Sequence, residues 1–206
     1  MIDPTGPRSQ HNFSPPSPIP GITFRLAKTT DLKTLHDNCY PETDWEKFQD
    51  HYGYLLKWQK DGRCTVLVVE TAIYSPVNRT DNSIRILPNR TAYSPGIIGS
   101  GQLIGQRDTA EIAELIVCAA YRNRGIGTAM IHILTQIAQK KKTKVLEIGV
   151  AAENQAALRL YRRLGFGDEH TLRLPGSEEA IILRKYFTPK DQGVETPRNS
   201  DEYYPD

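Results

Sequence analysis

Glu114-Leu-Ile-Val-Cys-Ala-Ala-Tyr-Arg-Asn-Arg-Gly-Ile-Gly-Thr-Ala-Met130 is the stretch whose reading decides the fold. It begins as a strand and passes into a short loop holding Arg122, Arg124, Gly125 and Gly127. From Ile126, apolar residues recur at Met130, Ile133, Leu134 and Ile137, the spacing of an amphipathic helix. Glycines let a backbone approach a ligand closely. The first N–H groups of a helix have no intrahelical acceptor, and its positive dipole end favours anions. Two arginines add charge and forked donors. The loop therefore suits a phosphate or pyrophosphate, against the plainer reading of a glycine-assisted turn that binds nothing. A P-loop would need Gly-Lys-Ser/Thr, which does not occur in the chain, and a dinucleotide fingerprint would need a small residue where Met130 stands.

Working outward, strand and helix patterns continue to alternate. Ile22–Ala27 reads as a strand, and Thr29-Thr30-Asp31 offers N-cap chemistry for a first helix. Asp44–Lys60 carries Trp45, Phe48, Tyr52, Leu55 and Leu56 at helical spacing and ends at Asp61-Gly62. Thr65–Ala72 is a β-branched strand; Gly96–Gly105 and Ala110–Cys118 read as two strands joined by a polar turn. Lys140-Lys141-Lys142 closes the long helix as a solvated end that favours its dipole. Val145–Ala151 is a strand, and Asn154 caps a helix with the stripe Ala157, Leu160, Tyr161 and Leu164, stopped by Gly165. His170–Leu174 and Ala180–Phe187 are short strand candidates. The fold class is α/β or α+β around a central sheet.

The chain has 206 residues, 38% apolar and 24% charged, and no apolar run nears the roughly 20 residues of a membrane helix, so no span is expected. Residues 1–20 hold six prolines and no apolar signal core, and 188–206 are polar and acidic; both are expected as disordered tails around a domain at 21–187. Residues 73–95, with three prolines, are expected as a loop insertion. Cys39, Cys64 and Cys118 have neither CxxC nor zinc-ligand spacing. Neither a disulfide scaffold nor a metal site is therefore expected, and a reducing cytoplasm fits. Residues 21–187 hold 23 basic and 18 acidic side chains, a surplus that tolerates a polyanionic small molecule and is too small to argue for nucleic acid.

Arg122-x-x-Gly125-x-Gly127 after a strand, followed by Asn154 and by Ala157-Leu-Arg-Leu-Tyr161-Arg-Arg-Leu-Gly165-Phe166, resembles the GNAT (Gcn5-related N-acetyltransferase) superfamily. The first element is similar to its Q/R-x-x-G-x-G/A coenzyme A motif. The second is similar to its asparagine, with tyrosine seven residues later and then Leu-Gly-Phe. The resemblance covers residues 21–187 and is specific from about Glu111 to Phe166. It implies a mixed sheet of six to seven strands flanked by about four helices. It also implies transfer of the acetyl group of acetyl-CoA to a primary amine, with no metal. In the family, strand groups pair with the pantetheine arm, here at Leu115, Ile116 and Val117. Loop amides hold the pyrophosphate, here Arg122, Asn123, Arg124, Gly125, Ile126 and Gly127. Asn154 stands at a cofactor-contacting position, and Tyr161 where many members keep a tyrosine beside the thioester sulfur.

For the general base, Glu114-Leu-Ile-Val-Cys-Ala resembles the Glu-Ile-Val-Phe-Cys-Ala strand of histone acetyltransferases, whose glutamate is the base. Where ribosomal-protein acetyltransferases often place theirs, five residues before the asparagine, this chain has Gly149. Glu147, on the same face of its strand by alternation, and a water route are the alternatives; Glu111 is expected on the face opposite to Glu114. Cys118 is expected as a small buried residue, and His36, His51, His132 and His170 on element surfaces. Glu42, Asp44, Glu46 and Asp50 form either a solvated face or a lure for a cationic amine. The expected partners are acetyl-CoA and an amine acceptor (a protein N-terminus, a lysine or a small amine), in a monomer or a homodimer. A catalytically silent acyl-CoA-binding module on the same fold is the competing reading. Release of coenzyme A thiol separates the two.

Overall fold

Cys64 to Val69 are buried throughout, which a run of Thr-Val-Leu-Val-Val demands of a strand covered on both faces. They belong to the second of seven strands in a computed structural model that describes residues 19–72, 96–106, 108–173 and 179–188. Along the chain the elements are β1 (Ile22–Leu26), α1 (Leu32–Cys39), α2 (Trp45–Lys60), β2 (Cys64–Thr71), β3 (Gly96–Gln106), β4 (Thr109–Val117), α3 (Ile126–Lys140), β5 (Val145–Ala151), α4 (Gln155–Arg163), β6 (Gly167–Arg173) and β7 (Glu179–Tyr186). Single 3-10 turns occupy Thr29–Asp31 and Ala119–Tyr121. The sheet order is β1-β2-β3-β4-β5-β7-β6. β4 and β5 run parallel through the α3 crossover, while the pairs β1/β2, β5/β7 and β6/β7 are antiparallel. The seven strands and four α-helices match the expected mixed sheet, with boundaries moved by a few residues. The expected tails, apart from residues 19–20 and 188, and the 73–95 insertion lie outside the described residues. No helix among the described residues is long and apolar enough to cross a membrane.

Main-chain proximity groups the chain into two units, Met1–Gly101 with Glu114–Met130, and Gln102–Ala113 with Ile131–Asp206. In the first unit, the α2 stripe Phe48, Tyr52, Leu55 and Leu56 is buried as its spacing predicts, and the Asp44 carboxylate caps the helix by accepting from the Lys47 amide at 3.0 Å. Asp31 stands at the N-cap position of α1 as expected, but its side chain turns back to the preceding turn and to β1 instead of bonding into that helix. Its buried carboxylate accepts from both ends of the Arg25 guanidinium at 2.7 and 2.9 Å and from the Lys28 amide at 2.7 Å, while Arg25 Nε also donates to Glu70 at 2.8 Å. The forked ion pair engages both carboxylate oxygens, while one of them also makes the capping-box bond back to the Lys28 amide of the Thr29–Asp31 turn. His36 departs from its expected surface position: it is half-buried against Trp45 and Phe48 and bonded to the Thr43 carbonyl at 2.7 Å.

In the second unit, Leu146, Ile148 and Leu183 on the sheet and Ile131, Ile133 and Leu134 on α3 are buried. On α4 the deepest side chain is Leu158 rather than Leu160, so the inward face centres on Leu158 and Tyr161, with Ala157, Leu160 and Leu164 on its flanks. β6 is exposed along its whole length and carries a register shift between Asp168 and His170. Charge and a shift of this kind blunt an edge strand against unwanted pairing.

Gln59 ties α2 to the ends of β1 and β2. Its amide nitrogen donates to the Ala27 carbonyl at 3.0 Å, and its oxygen accepts from the Val66 amide at 2.8 Å. Gln59→Ala leaves the Val66 N–H without that acceptor in a buried strand, and is expected to cost about 1–3 kcal/mol in urea unfolding.

Candidate active site

The loop after β4 is built by backbone conformation. A 3-10 turn closes on the Cys118 carbonyl through the Tyr121 amide at 2.8 Å. Asn123 then takes φ 59° and Gly125 φ 80°, two left-handed residues that turn the chain into α3. The first bond inside that helix runs from the Ala129 amide to the Gly125 carbonyl at 2.9 Å, so the amides of Ile126, Gly127 and Thr128 have no intrahelical acceptor. Ile126, only 2% exposed, pins the helix start, while Arg122, Asn123, Arg124 and Gly125 are exposed. Arg122 Nε donates to the Val117 carbonyl at 2.9 Å, and the Arg124 guanidinium lies 5.2 Å from the Tyr121 ring centre. A Cβ placed on Gly127 would meet no protein atom within 4 Å, so packing does not require this glycine. The result is a set of free helix-start amides preceded by two exposed arginines, the chemistry of a phosphate site.

On the strand side, the β4–β5 ladder runs from Thr109 opposite Val145 to Ile112 opposite Ile148. Two residues later Glu114 takes φ 46°, a conformation that costs a non-glycine residue about 1–2 kcal/mol. Its carboxylate oxygen lies 2.8 Å from Nε2 of His51 on α2. His51 sits on the helix surface as expected, but as the partner of the candidate base. Behind it lies a triangle of hydroxyls: Tyr52 to Tyr40 at 2.9 Å, Tyr52 to Ser100 at 3.1 Å and Tyr40 to Ser100 at 3.3 Å. Burial, with Tyr52 beside it, pushes the Tyr40 phenol well above the usual range, so it stays protonated. Cys118 is buried as expected and meets Cys39, with the sulfurs 3.1 Å apart and Cys118 Sγ donating to the Asn38 carbonyl at 3.0 Å. The bond to Cys118 and burial hold the Cys39 thiol protonated.

The remaining sequence candidates lie in the second unit. Asn154 is exposed and uses its side-chain oxygen to cap α4, accepting from the Ala157 amide at 3.1 Å. The Tyr161 ring is buried and tilted against Phe166, with centres 6.3 Å apart. Its hydroxyl makes no hydrogen bond among the described residues and is not among buried atoms lacking one, so the oxygen reaches solvent. Burial raises the phenol above its ordinary value. Glu147 is engaged by Arg184 Nε at 2.5 Å, and the same guanidinium holds Glu169 at 2.7 Å. No group of three or more His, Cys, Asp and Glu among the described residues is placed to hold a metal ion.

Residues 23–166, well over half of the chain, match the model of the Acetyltransferase (GNAT) family. The chain belongs to this family. An uncharacterized N-acetyltransferase of Methanocaldococcus jannaschii is 39% identical over 70 residues, 34% of this chain and 31% of the relative. The ribosomal protein bS18-alanine N-acetyltransferase of Escherichia coli K12 is 34% identical over 82 residues, 37% of this chain and 55% of the relative. These matches thus span about a third and about half of the relatives' lengths. Among solved structures, a ribosomal L7/L12 alpha-N-protein acetyltransferase in complex with coenzyme A superposes with a TM-score of 0.62 at 12% identity, covering 84% of this chain and 97% of the other. The ribosomal-protein-alanine N-acetyltransferase of Brucella melitensis gives 0.58 at 21%, covering 80% and 99%. At these identities the structural likeness shows the GNAT fold.

Sequence reasoning missed His51, Tyr40, Tyr52 and Ser100, because a contact between a helix side chain and a distant strand leaves no periodic trace. It also missed a pair of carboxylates in the second unit. Glu111 stands opposite Glu147 in the parallel register. Desolvation, and then the charge of Glu147, raise the Glu111 carboxyl above the ordinary glutamate value. A raised folded-state value means that ionisation opposes folding: the cost is absent below the unfolded value and complete once pH passes the folded one. Glu111→Gln is therefore expected to melt higher than wild type at neutral pH. The gap should close as pH falls below the ordinary glutamate range, as followed by thermal unfolding across pH.

Proposed function

We propose that this protein transfers the acetyl group of acetyl-CoA to a primary amine, with residues 21–187 as its domain and the cytoplasm as its compartment. The observation that carries the reading is the loop from Arg122 to Gly127, whose left-handed turns and open glycine positions, with the helix-start amides of α3 beyond them, fit a pyrophosphate. Leu115, Ile116 and Val117 are assigned to the pantetheine arm. The end of the β5 ladder at Ile112 supports this, since main-chain groups on that side are no longer claimed by the parallel partner. Asn154 is assigned to the cofactor on its motif; the cap leaves its side-chain amide nitrogen for such a contact.

When bound, acetyl-CoA supplies a thioester whose carbonyl carbon accepts the amine nitrogen. Glu114 serves as the base that takes the proton of the ammonium. Glu147 is less suited, because its carboxylate is already engaged by the Arg184 guanidinium. Tyr161, whose hydroxyl has no hydrogen-bond partner among the described residues, is assigned as the donor to the departing sulfur. The bS18-alanine N-acetyltransferase among the relatives makes a protein α-amine the first acceptor to test, before a lysine side chain or a small amine.

Gly127→Asp places a negative charge in this loop without a steric clash in the protein. Acetyl-CoA affinity is expected to fall by more than about tenfold in calorimetry, with the melting temperature retained; unchanged affinity would remove the basis for the cofactor site. Tyr161→Phe deletes only the hydroxyl. It is expected to lower kcat by about one to three orders of magnitude in coenzyme A thiol release. Because no partner is orphaned, stability should be unchanged. Normal turnover would refute the assignment of Tyr161 as the acid.

A further inference from the structure

Glu114 is set from two directions. Its main chain holds a left-handed φ of 46°, which few side chains adopt without support from their surroundings. Its carboxylate lies 2.8 Å from His51 Nε2. An exposed histidine ordinarily samples several rotamers. This one follows the buried turn of α2 that carries Phe48 and precedes Tyr52, which is 1% exposed and bonded through its hydroxyl to Tyr40 and Ser100. The Tyr52 ring also meets the imidazole edge-on, with centres 5.6 Å apart at 82°. The stem of His51 is thus anchored to the core while its ring reaches the strand.

We propose that His51 is a positioning residue for Glu114, with its Nε2–H donating to the carboxylate and fixing the rotamer in which the carboxylate meets the acceptor ammonium. This rests on the reading of Glu114 as the base. In the step it serves, a proton moves from the amine nitrogen to the Glu114 carboxylate. The nitrogen lone pair forms the bond to the acetyl carbon, and the carbon–sulfur bond breaks with its electron pair on sulfur. His51 neither gains nor loses a proton. Its contribution is orientation, since a base held in the productive pose spends no freedom to reach it. A surface ion pair of no consequence would leave turnover unchanged, and a purely structural contact would change stability or acetyl-CoA affinity.

The test compares wild type, His51→Leu, His51→Gln, Glu114→Gln and the His51→Leu/Glu114→Gln pair. Thiol release is read with saturating acetyl-CoA and the fastest of four acceptors: an alanine-starting peptide, a serine-starting peptide, a lysine-containing peptide and spermidine. Glu114→Gln should lower kcat by about 10²–10⁴-fold. His51→Leu should lower it by about 10- to 100-fold, with acetyl-CoA affinity and melting temperature unchanged. His51→Gln keeps an N–H donor and should recover to within about fivefold of wild type. The double variant should be no slower than Glu114→Gln alone, because His51 acts only through that carboxylate. A normal His51→Leu beside a crippled Glu114→Gln overturns the positioning role and leaves the base standing, as do losses that multiply in the double variant. A normal Glu114→Gln overturns both. Independently of any acceptor, imidazole nitrogen shifts in NMR should show Nε2 protonated and responding to Glu114→Gln; an indifferent ring overturns the pair.

Discussion

The site turns on one constraint in the main chain: β4 stops pairing with β5 at Ile112, and Glu114 then takes a left-handed conformation. A regular strand alternates its side chains between two faces, so a regular Glu114 would have its direction set by parity alone. The positive φ breaks that parity and re-aims the carboxylate, as bulged strands do beside functional sites. The residues that follow, Leu115 to Val117, lead directly into the turn at Cys118 and the free amides at the start of α3. Base and amides are therefore consecutive features of one segment. Their spacing is set by covalent chain length rather than by packing of separate elements.

Helix α2 does two jobs that a single amphipathic pattern would not separate. Its inward stripe and Gln59 fix it to β1 and β2, and the residue beside the buried Tyr52 is the exposed His51 that meets Glu114. Successive residues on a helix point about 100° apart. Position 51 is therefore the flank of the buried stripe, partly wet yet close to the sheet. The hydroxyl triangle beneath it satisfies every member in a dry environment, which makes the anchor stiff. The acids around the start of α2 resolve differently: Glu42, Asp44, Glu46 and Asp50 are all exposed, and Asp44 serves as the helix cap.

What was legible in the sequence follows from what periodicity encodes. The strand-loop-helix from Glu114 to Met130, the α2 stripe and the Asn154 cap all rest on local spacing, and each stands where the pattern puts it. Asp31 stands at the N-cap position that its neighbours announce, but the neighbours do not reveal the ion pair that its carboxylate makes. Its actual partner, Arg25, lies on the preceding strand and offers two donors in a fixed fork. The α4 stripe was centred one turn position away from Leu158, since five apolar residues among positions 157–164 fit more than one helical face. His51, Tyr40, Tyr52 and Ser100 were invisible as a group because three separate elements must fold before they meet.

The three glutamates on β4 and β5 show how environment assigns roles to identical side chains. Glu147 faces the Arg184 guanidinium, and its carboxylate would have to leave that partner to meet an incoming ammonium. Glu111 has the opposite problem: partial desolvation beside a second carboxylate makes its own charge unfavourable, and it offers a proton acceptor only at a cost to the fold. Glu114 instead lies 2.8 Å from an imidazole nitrogen and close enough to the neutral Tyr40 phenol for its charge to act on it. A base must hold a proton briefly and release it, which requires a partner that orients the carboxylate without locking its charge. The imidazole of His51 gives Glu114 a partner of that kind.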